Sequence, residues 1–237
     1  MVLSPVVRVK LVIFAVICFV LWQAIRTVPS STSFEDAIGD RKYDQVVPGA
    51  QGSIVPVKVT VFYESLCPDS RSFITKQLLP SYEKAPRLID PVLVPYGKAE
   101  TQELPDGSYR FTCQHGPLEC QGNKVHACGI ANIKDKEVQL KYIACMISDN
   151  MKPEAIGLSC AETYGVPWDP ILKCSQDNQG DVLLKNYGEE THDLSPAVSF
   201  IPTILLNGSQ DNQAAILKNL LQEVCNQYSY PKPEECS

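Results

Sequence analysis

The sequence predicts an α/β domain, and the pattern around one cysteine is the main reason. Residues 57–63 place β-branched and aromatic side chains at every second position, which is typical of a strand. After Pro68 the apolar residues recur at helical spacing, as Ile74 and Leu78 do. Cys67 lies where the strand passes into the helix, and Pro68 suits the first turn. A strand, Cys-Pro-x-x and a helix in this order are the arrangement of thioredoxin-like disulfide chemistry, although Ser70 stands where that chemistry has a second cysteine.

A thiol at this position has a physical reason to be reactive. Unpaired backbone N–H groups and the positive end of the helix dipole face Cys67, and both favour the thiolate over the thiol. Only the thiolate attacks disulfides. The sequence therefore predicts Cys67 as a catalytic nucleophile. The alternative is a structural cysteine at the end of a strand, because cysteine is among the most buried residue types.

Residues 1–28 are predicted to be a signal peptide or a signal anchor. Arg8 and Lys10 precede an apolar run at 11–21, which is short for a membrane span. No clear cleavage site follows, so an uncleaved anchor remains open, and it would be the chain's one attachment to a membrane. The basic residues place the rest of the chain in the lumen in either case. Residues 29–53 are rich in Ser, Thr, Gly and Asp and predict a linker.

The main folded domain is predicted at 54–228, with a C-terminal tail at 229–237. The formal net charge is −6, which argues against a nucleic-acid partner. No G-x-S-x-G motif is present, which argues against a serine hydrolase.

The cysteine count predicts four disulfides and one free thiol. Of ten cysteines, Cys18 lies in the apolar run, which leaves an odd number in the lumenal part. Cys67 is the predicted free thiol, and Cys236 near the C-terminus is the alternative. The sequence has no C-x-x-C pair and no zinc-finger spacing, so no cysteine metal site is expected. The predicted disulfide cysteines, with pairing left open, are Cys113, Cys120, Cys128, Cys145, Cys160, Cys174, Cys225 and Cys236.

Periodicity and turn residues also predict the later elements. In order they are a strand at 88–96 interrupted by Pro91, a helix at 138–147, short disulfide-bonded helices at 152–180, a helix at 181–187, a strand at 200–206 and a continuous helix at 216–224. Pro202 enters the last strand, where a cis bond would hold the backbone against the active sulfur. An ordinary trans proline at a strand start is the alternative. His115 is interpreted as a structural hydrogen-bonding residue, with a general base as the other reading.

Three motifs resemble the gamma-interferon-inducible lysosomal thiol reductase family. They are Tyr63-Glu64-Ser65-Leu66-Cys67, the specific string C-Q-H-G-x-x-E-C from Cys113 to Cys120 with Asn123 and Cys128 following, and F-I-P-x-x-x-x-N-G from Phe200 to Gly208. The resemblance implies a thioredoxin-like α/β fold with a disulfide-bonded helical insertion. It also implies reduction of protein disulfides in the lysosome or outside the cell, and a cis peptide bond at Pro202.

The chain departs from the family at the active-site motif. Family members carry C-x-x-C, whereas Ser70 stands here in place of the second cysteine. Ser70 cannot expel a product, although its hydroxyl could donate a hydrogen bond to the Cys67 thiolate. Asp69 opposes a second negative charge beside it. A mixed disulfide at Cys67 would then need a small external thiol, or the substrate's own second thiol, to resolve it. The polar stretch at 209–213 also predicts that the family's fourth strand is very short.

The leading hypothesis is a thiol–disulfide oxidoreductase that acts on disulfide-bonded proteins through Cys67, Ser70 and Pro202. It needs no cofactor beyond a small external thiol as reductant. The alternative is a catalytically weak thioredoxin-like protein that binds clients. The one N-x-[ST] sequon, at Asn207, predicts an N-linked glycan on a surface turn.

Overall fold

The computed structural model describes Phe19 and residues 54–237. The chain divides into two compact units, residues 1–50 and 51–237. Apart from Phe19, which is helical and exposed, the predicted signal segment and the linker lie outside the described residues. Within the described part of the chain, no helix combines the length and hydropathy that a bilayer crossing requires.

The sheet that carries the site has three strands in the order β2-β1-β5. The strands are β1 (Val57–Tyr63), β2 (Ile89–Pro95) and β5 (Thr203–Leu206). β1 pairs in parallel with β2 and antiparallel with β5, so the strand before Cys67 is central and almost wholly buried. The predicted interruption at Pro91 is wrong: β2 runs through it, opposite Val59. An edge strand tolerates a proline because its outer side needs no N–H donor.

A helical run follows Cys67 and packs beneath the sheet. It comprises α1 (Pro68–Phe73), a π-helical turn (Ile74–Leu78) and α2 (Leu79–Lys84). The predicted apolar face is confirmed, since Phe73, Ile74 and Leu78 are buried. Pro80 explains the irregular turn, because it lacks an N–H and its ring clashes with the carbonyl one turn earlier.

A polar hairpin separates β2 from the helical insertion. Its strands are β3 (Glu100–Glu103) and β4 (Tyr109–Thr112), paired antiparallel. The sequence did not predict it, because β3 is composed of polar residues that bury no continuous face.

The insertion consists of five helices, four of which are joined in pairs by disulfides. They are α3 (Pro117–Asn132), α4 (Lys136–Ser148), α5 (Pro153–Tyr164), α6 (Trp168–Gln176) and α7 (Asn178–His192). The predicted helices at 138–147 and 181–187 lie within α4 and α7. The bridge Cys128–Cys174 joins α3 to α6, and Cys145–Cys160 joins α4 to α5.

The C-terminal region differs from prediction in two ways. The continuous helix expected at 216–224 is broken into α8 (Gln213–Lys218) and α9 (Leu220–Asn226). Asn219 causes the break, because its side chain accepts a hydrogen bond from Gln222 N–H and caps the second helix. No strand forms at 209–213, where only a single bridge joins Leu206 to Ser209. That stretch offers the sheet no apolar side chain to bury.

The largest cluster of buried apolar side chains connects the sheet, the insertion and α9; it includes Val59, Ile74, Ile143 and Leu220. The tail predicted at 229–237 contains a 3₁₀ turn, Glu234–Cys236. Its Cys236 is bonded to Cys225, and Glu235 forms an ion pair with Arg87 at 2.6 Å. Both links hold the tail against the domain.

Candidate active site

Cys67 lies at the junction of β1 and α1, as the sequence predicts. It occupies the N-cap of α1, with φ −67° and ψ 122°, and its residue is 8% exposed. Its N–H donates to Glu64 O at 3.3 Å, and its carbonyl accepts from Arg71 N–H at 3.0 Å. The backbone on both sides of the sulfur is therefore fixed, while part of the residue still reaches the surface.

Every other cysteine among residues 54–237 is in a disulfide. The pairs are Cys113–Cys120, Cys128–Cys174, Cys145–Cys160 and Cys225–Cys236. Cys67 is free. The expected four disulfides are present, and the alternative of an unpaired Cys236 is wrong.

The segment before β5 crosses over the sulfur. The Ile201–Pro202 peptide bond is cis, as the family resemblance implied. Cys67 Sγ donates to Ile201 O at 3.8 Å. Backbone that precedes Pro202 thus lies against the predicted nucleophile.

Ser70 lies close to Cys67 in the chain, but its hydroxyl group contacts another residue. Ser70 is fully buried, and its Oγ accepts a hydrogen bond from Glu64 N–H at 3.3 Å. Among the described residues, the Ser70 hydroxyl does not make the hydrogen bond that it could offer to the Cys67 sulfur. The first turn of α1 directs the hydroxyl toward the end of β1, where a backbone N–H needs an acceptor.

Residues of α3 hold the loop before Cys67. Ser65 N–H donates to Asn123 Oδ1 at 2.8 Å, and Ser65 Oγ donates to Glu119 O at 3.2 Å. Asn150, after α4, donates from its side chain to Ser65 O. All four residues are buried. Periodicity and spacing do not predict these contacts, and the motif that contains Glu119 and Asn123 is the one sequence signal that points to them.

A buried tyrosine–histidine pair lies beneath this loop. Tyr63 OH and His126 Nδ1 are 2.9 Å apart. Burial lowers the pKa of His126 to about 3, and a contact with the Asn150 side chain opposes this shift. Burial also raises the pKa of Tyr63, with a smaller contribution from Tyr187. The imidazole is therefore neutral, and the Tyr63 hydroxyl can donate to it.

Two buried carboxylates meet His115 beside the loop. Glu119 Oε2 lies 2.6 Å from His115 Nδ1, and Glu64 Oε2 lies 3.5 Å from the same atom. Glu119 Oε1 also accepts from His115 N–H at 3.0 Å, and Glu64 Oε1 accepts from Lys98 N–H at 2.8 Å. Burial raises the pKa of Glu64; the Lys98 N–H opposes this shift, and the nearby Glu119 charge adds to it. These contacts agree with the interpretation of His115 as a hydrogen-bonding residue.

Two grooves border the Cys67 loop. One, of about 430 Å³, is lined by α1 and by Phe200, Ile201 and Pro202. The other, of about 290 Å³, is lined by Ser65, Leu66, His115 and Met151, among others. Phe200 is 38% exposed and Met151 is 65% exposed. An extended peptide could therefore contact apolar side chains near the sulfur.

Comparison with known proteins identifies the family. Residues 58–164 match the family model described as gamma interferon inducible lysosomal thiol reductase (GILT). GILT-like protein 1 of Drosophila melanogaster is 37% identical over 205 residues, which cover 78% of this chain and 80% of that protein. The chain belongs to the GILT family. The gamma-interferon-inducible lysosomal thiol reductase of Carassius auratus is 34% identical to this GILT chain, covering 76% of it and 72% of the relative.

The structural comparison concerns the fold alone. The crystal structure of Chlamydia trachomatis DsbA superposes with a TM-score of 0.51 at 12% identity, covering 79% of this chain and all of that one. The α/β fold of this GILT chain is therefore thioredoxin-like. Family and fold together support a thiol–disulfide oxidoreductase in general terms.

Proposed function

We propose that this GILT chain reduces protein disulfides through Cys67 alone and relies on a small external thiol to complete each turnover. The observation that carries the proposal is a free thiol at the start of α1, with Ile201 O 3.8 Å from its sulfur. The other cysteines among residues 54–237 are in disulfides, so they offer no second thiol to share the reaction.

The first step is an exchange at sulfur. The Cys67 thiolate attacks one sulfur of the substrate disulfide, whose S–S bond breaks as a mixed disulfide forms at Cys67. The second substrate sulfur leaves as a thiolate and takes a proton from solvent.

The second step distinguishes this chain from a C-x-x-C enzyme. Ser70 has no sulfur with which to attack the mixed disulfide. A small external thiolate instead attacks the Cys67 sulfur and releases the reduced substrate, and a second external thiol then frees Cys67. One substrate disulfide and two small thiols therefore give one substrate dithiol and one small disulfide. Attack by the substrate thiol that was just released only re-forms the original disulfide. If a further cysteine of the substrate attacks the substrate sulfur of the mixed disulfide, Cys67 leaves as the thiolate and a different substrate disulfide forms, which is isomerisation.

The two grooves beside the Cys67 loop suit an extended polypeptide. Exposed Phe200 and Met151 offer apolar contacts, and Asp69 and Lys76 offer charged ones. We infer that protein segments with a disulfide are the substrates.

We place this activity in the lysosome or outside the cell. Four disulfides are typical of an oxidising compartment such as the secretory route, and the names of the relatives agree with a lysosomal site. The glycan predicted at Asn207 would be added in the same route, and the exposed Asn207 side chain is accessible to it.

A client-binding protein is the second candidate. Ser70 favours this candidate in two ways. Its buried hydroxyl supports the loop, and a serine at this position has no sulfur with which to release the product. Such a protein would hold polypeptides in the grooves without changing their disulfides.

Insulin disulfide reduction separates the two candidates. With a small thiol present, the protein should accelerate precipitation of the insulin B chain well above the thiol alone, and Cys67→Ser should remove that acceleration. Ser159→Ala, an exposed position on α5 that lines neither groove, is the control and should retain it. Acceleration that persists in Cys67→Ser would refute the catalytic proposal. No acceleration by the parent, combined with binding of unfolded insulin, would favour the client-binding protein.

A further inference from the structure

The cluster of Glu64, His115 and Glu119 has the geometry of an incomplete metal site. One ligand atom from each residue lies within 4.8 Å of the other two. His115 Nδ1 is the common partner, 2.6 Å from Glu119 Oε2 and 3.5 Å from Glu64 Oε2. Ligands about 2.1 Å from a tetrahedral cation are roughly 3.4 Å apart, so the three atoms need only small movements to bind one ion.

An unsatisfied atom points to a missing partner in this cluster. The Glu64 side chain is only 1% exposed, so water hardly reaches it, and its Oε2 atom accepts no hydrogen bond from the described residues. One N–H on Nδ1 of His115 cannot serve both carboxylates, and it is directed to Glu119. A buried carboxylate oxygen without a partner costs free energy, so an additional positive charge would stabilise this arrangement.

The charges favour a divalent ion over a proton alone. Glu64 and Glu119 together carry two negative charges when ionised, whereas a protonated His115 supplies one positive charge. Lys98 attracts Glu64 and donates its backbone N–H to the other oxygen, Oε1. A divalent cation in place of the Nδ1 proton would neutralise both carboxylates and give Glu64 Oε2 a partner.

We propose that Glu64, His115 and Glu119 form a binding site for a zinc-type divalent cation. Two carboxylate oxygens and one imidazole nitrogen are a donor set that zinc accepts, with a fourth position left for water or another ligand. Calcium and magnesium prefer sites made of oxygen alone, with six or more ligands, so they fit this cluster poorly.

The cluster has a path to solvent and is distinct from the thiol site. His115 is 35% exposed in its side chain and lines the 290 Å³ groove, whereas both carboxylates are buried behind it. The ligands include neither Cys67 nor any disulfide cysteine, so the proposal does not depend on reductase activity. It also differs from the cysteine zinc sites that the sequence spacing argues against.

Calorimetric titration of chelator-treated, disulfide-intact protein with Zn²⁺ at neutral pH tests the site. We expect one equivalent to bind, and both His115→Ala and Glu64→Gln to weaken the affinity at least about tenfold. Two control variants should bind as the parent does: His192→Ala, which removes another exposed histidine, and Cys67→Ser, which removes the free thiol. Mg²⁺ should produce no binding heat.

Cobalt absorption is a second measurement, made on the parent protein, so it does not depend on whether any variant folds. Co²⁺ bound by the parent should give the visible bands of low-coordinate oxygen and nitrogen ligation, without a thiolate charge-transfer band. The proposal is overturned if the parent binds no Zn²⁺, or if His115→Ala binds it as tightly as the parent. It is equally overturned if Cys67→Ser abolishes binding or the cobalt spectrum shows a thiolate ligand.

Discussion

Ser70 Oγ lies 3.3 Å from Glu64 N and accepts its hydrogen bond, which ties the first turn of α1 to the end of β1. The residue that replaces the resolving cysteine is therefore part of the support of the Cys67 loop. Glu64 in turn accepts the Cys67 N–H at its carbonyl. The serine thus contributes to the position of the nucleophile without contacting its sulfur.

Loss of this hydroxyl should destabilise the domain. Ser70→Ala leaves Glu64 N–H buried without an acceptor, which should reduce the free energy of unfolding by about 1–3 kcal/mol. Urea unfolding measures the change. Ser72→Ala, exposed on the same helix, should change stability by less than about 0.5 kcal/mol. Equal stabilities of the two variants would contradict the role given to Ser70.

Position 97 needs a glycine for two reasons: its backbone conformation and its close approach to the Glu64 side chain. Its φ is +65°, and a Cβ there would lie 2.1 Å from Glu64 Cγ. Gly107 has a similar φ of +79° but open space around it. Gly107→Ala should therefore cost only about 1–2 kcal/mol for the backbone conformation. Gly97→Ala should cost roughly 1–3 kcal/mol more because of the clash. Similar unfolding free energies for both variants would show that the contact with Glu64 does not matter.

His126 should make the domain less stable in acid. Its pKa falls from the ordinary value of 6.5 to about 3 in the folded protein. Between these values the unfolded chain binds a proton that the folded chain does not. The free energy of unfolding should therefore decrease by about 1.4 kcal/mol for each unit that the pH falls within this window.

The variant His126→Gln tests this linkage through the slope of stability against pH. Urea unfolding at several pH values should give a shallower slope for His126→Gln than for the parent, whatever its absolute stability. The exposed His192→Gln is the control and should keep the parent's slope. The explanation fails if His126→Gln shows the parent's slope.

The turn at Asn207 should carry an N-linked glycan in a eukaryotic secretory host. Asn207 is exposed with φ +50°, and its Oδ1 accepts Lys58 N–H at 3.0 Å. A glycan on Nδ2 leaves that hydrogen bond intact. An amide-cleaving glycosidase should increase gel mobility of the parent but not of Ser209→Ala. An unshifted parent would contradict the prediction.

Local patterns were sufficient to predict the elements around Cys67. Strand periodicity, the helical spacing of Ile74 and Leu78, and the position of Pro68 are all short-range signals. The continuation of β2 through Pro91 was not predictable in the same way. A strand accepts an internal proline when it lies at the edge of the sheet, and local sequence does not show that β2 is an edge strand. The break at Asn219 depends on a side-chain cap that competes with the helix.

The polar network was the part of the site that the sequence did not predict. Glu64 lies far from His115 and Glu119 in the chain, and only the packing of α3 against the β1 end brings them together. The hydrogen bonds of Ser65 with Asn123 and Glu119 are likewise long-range. A motif shows that such residues occur together, but periodicity does not show what they contact.

The central claim is that Cys67 forms a mixed disulfide that persists until an external thiol arrives. Ser70→Cys should shorten its lifetime, because a resolving thiol in the same molecule acts at an effective concentration of about millimolar or more. The most direct measurement incubates the protein with a peptide dimer joined by one intermolecular disulfide, so that the released thiol leaves with the other peptide. No small thiol is added, and the sample is quenched in acid and its adducts mapped by mass spectrometry. The account predicts a substrate adduct on Cys67 that accumulates in the parent, disappears on addition of small thiol and does not accumulate in Ser70→Cys. An unmodified Cys67, or an adduct that maps to another cysteine, would contradict it.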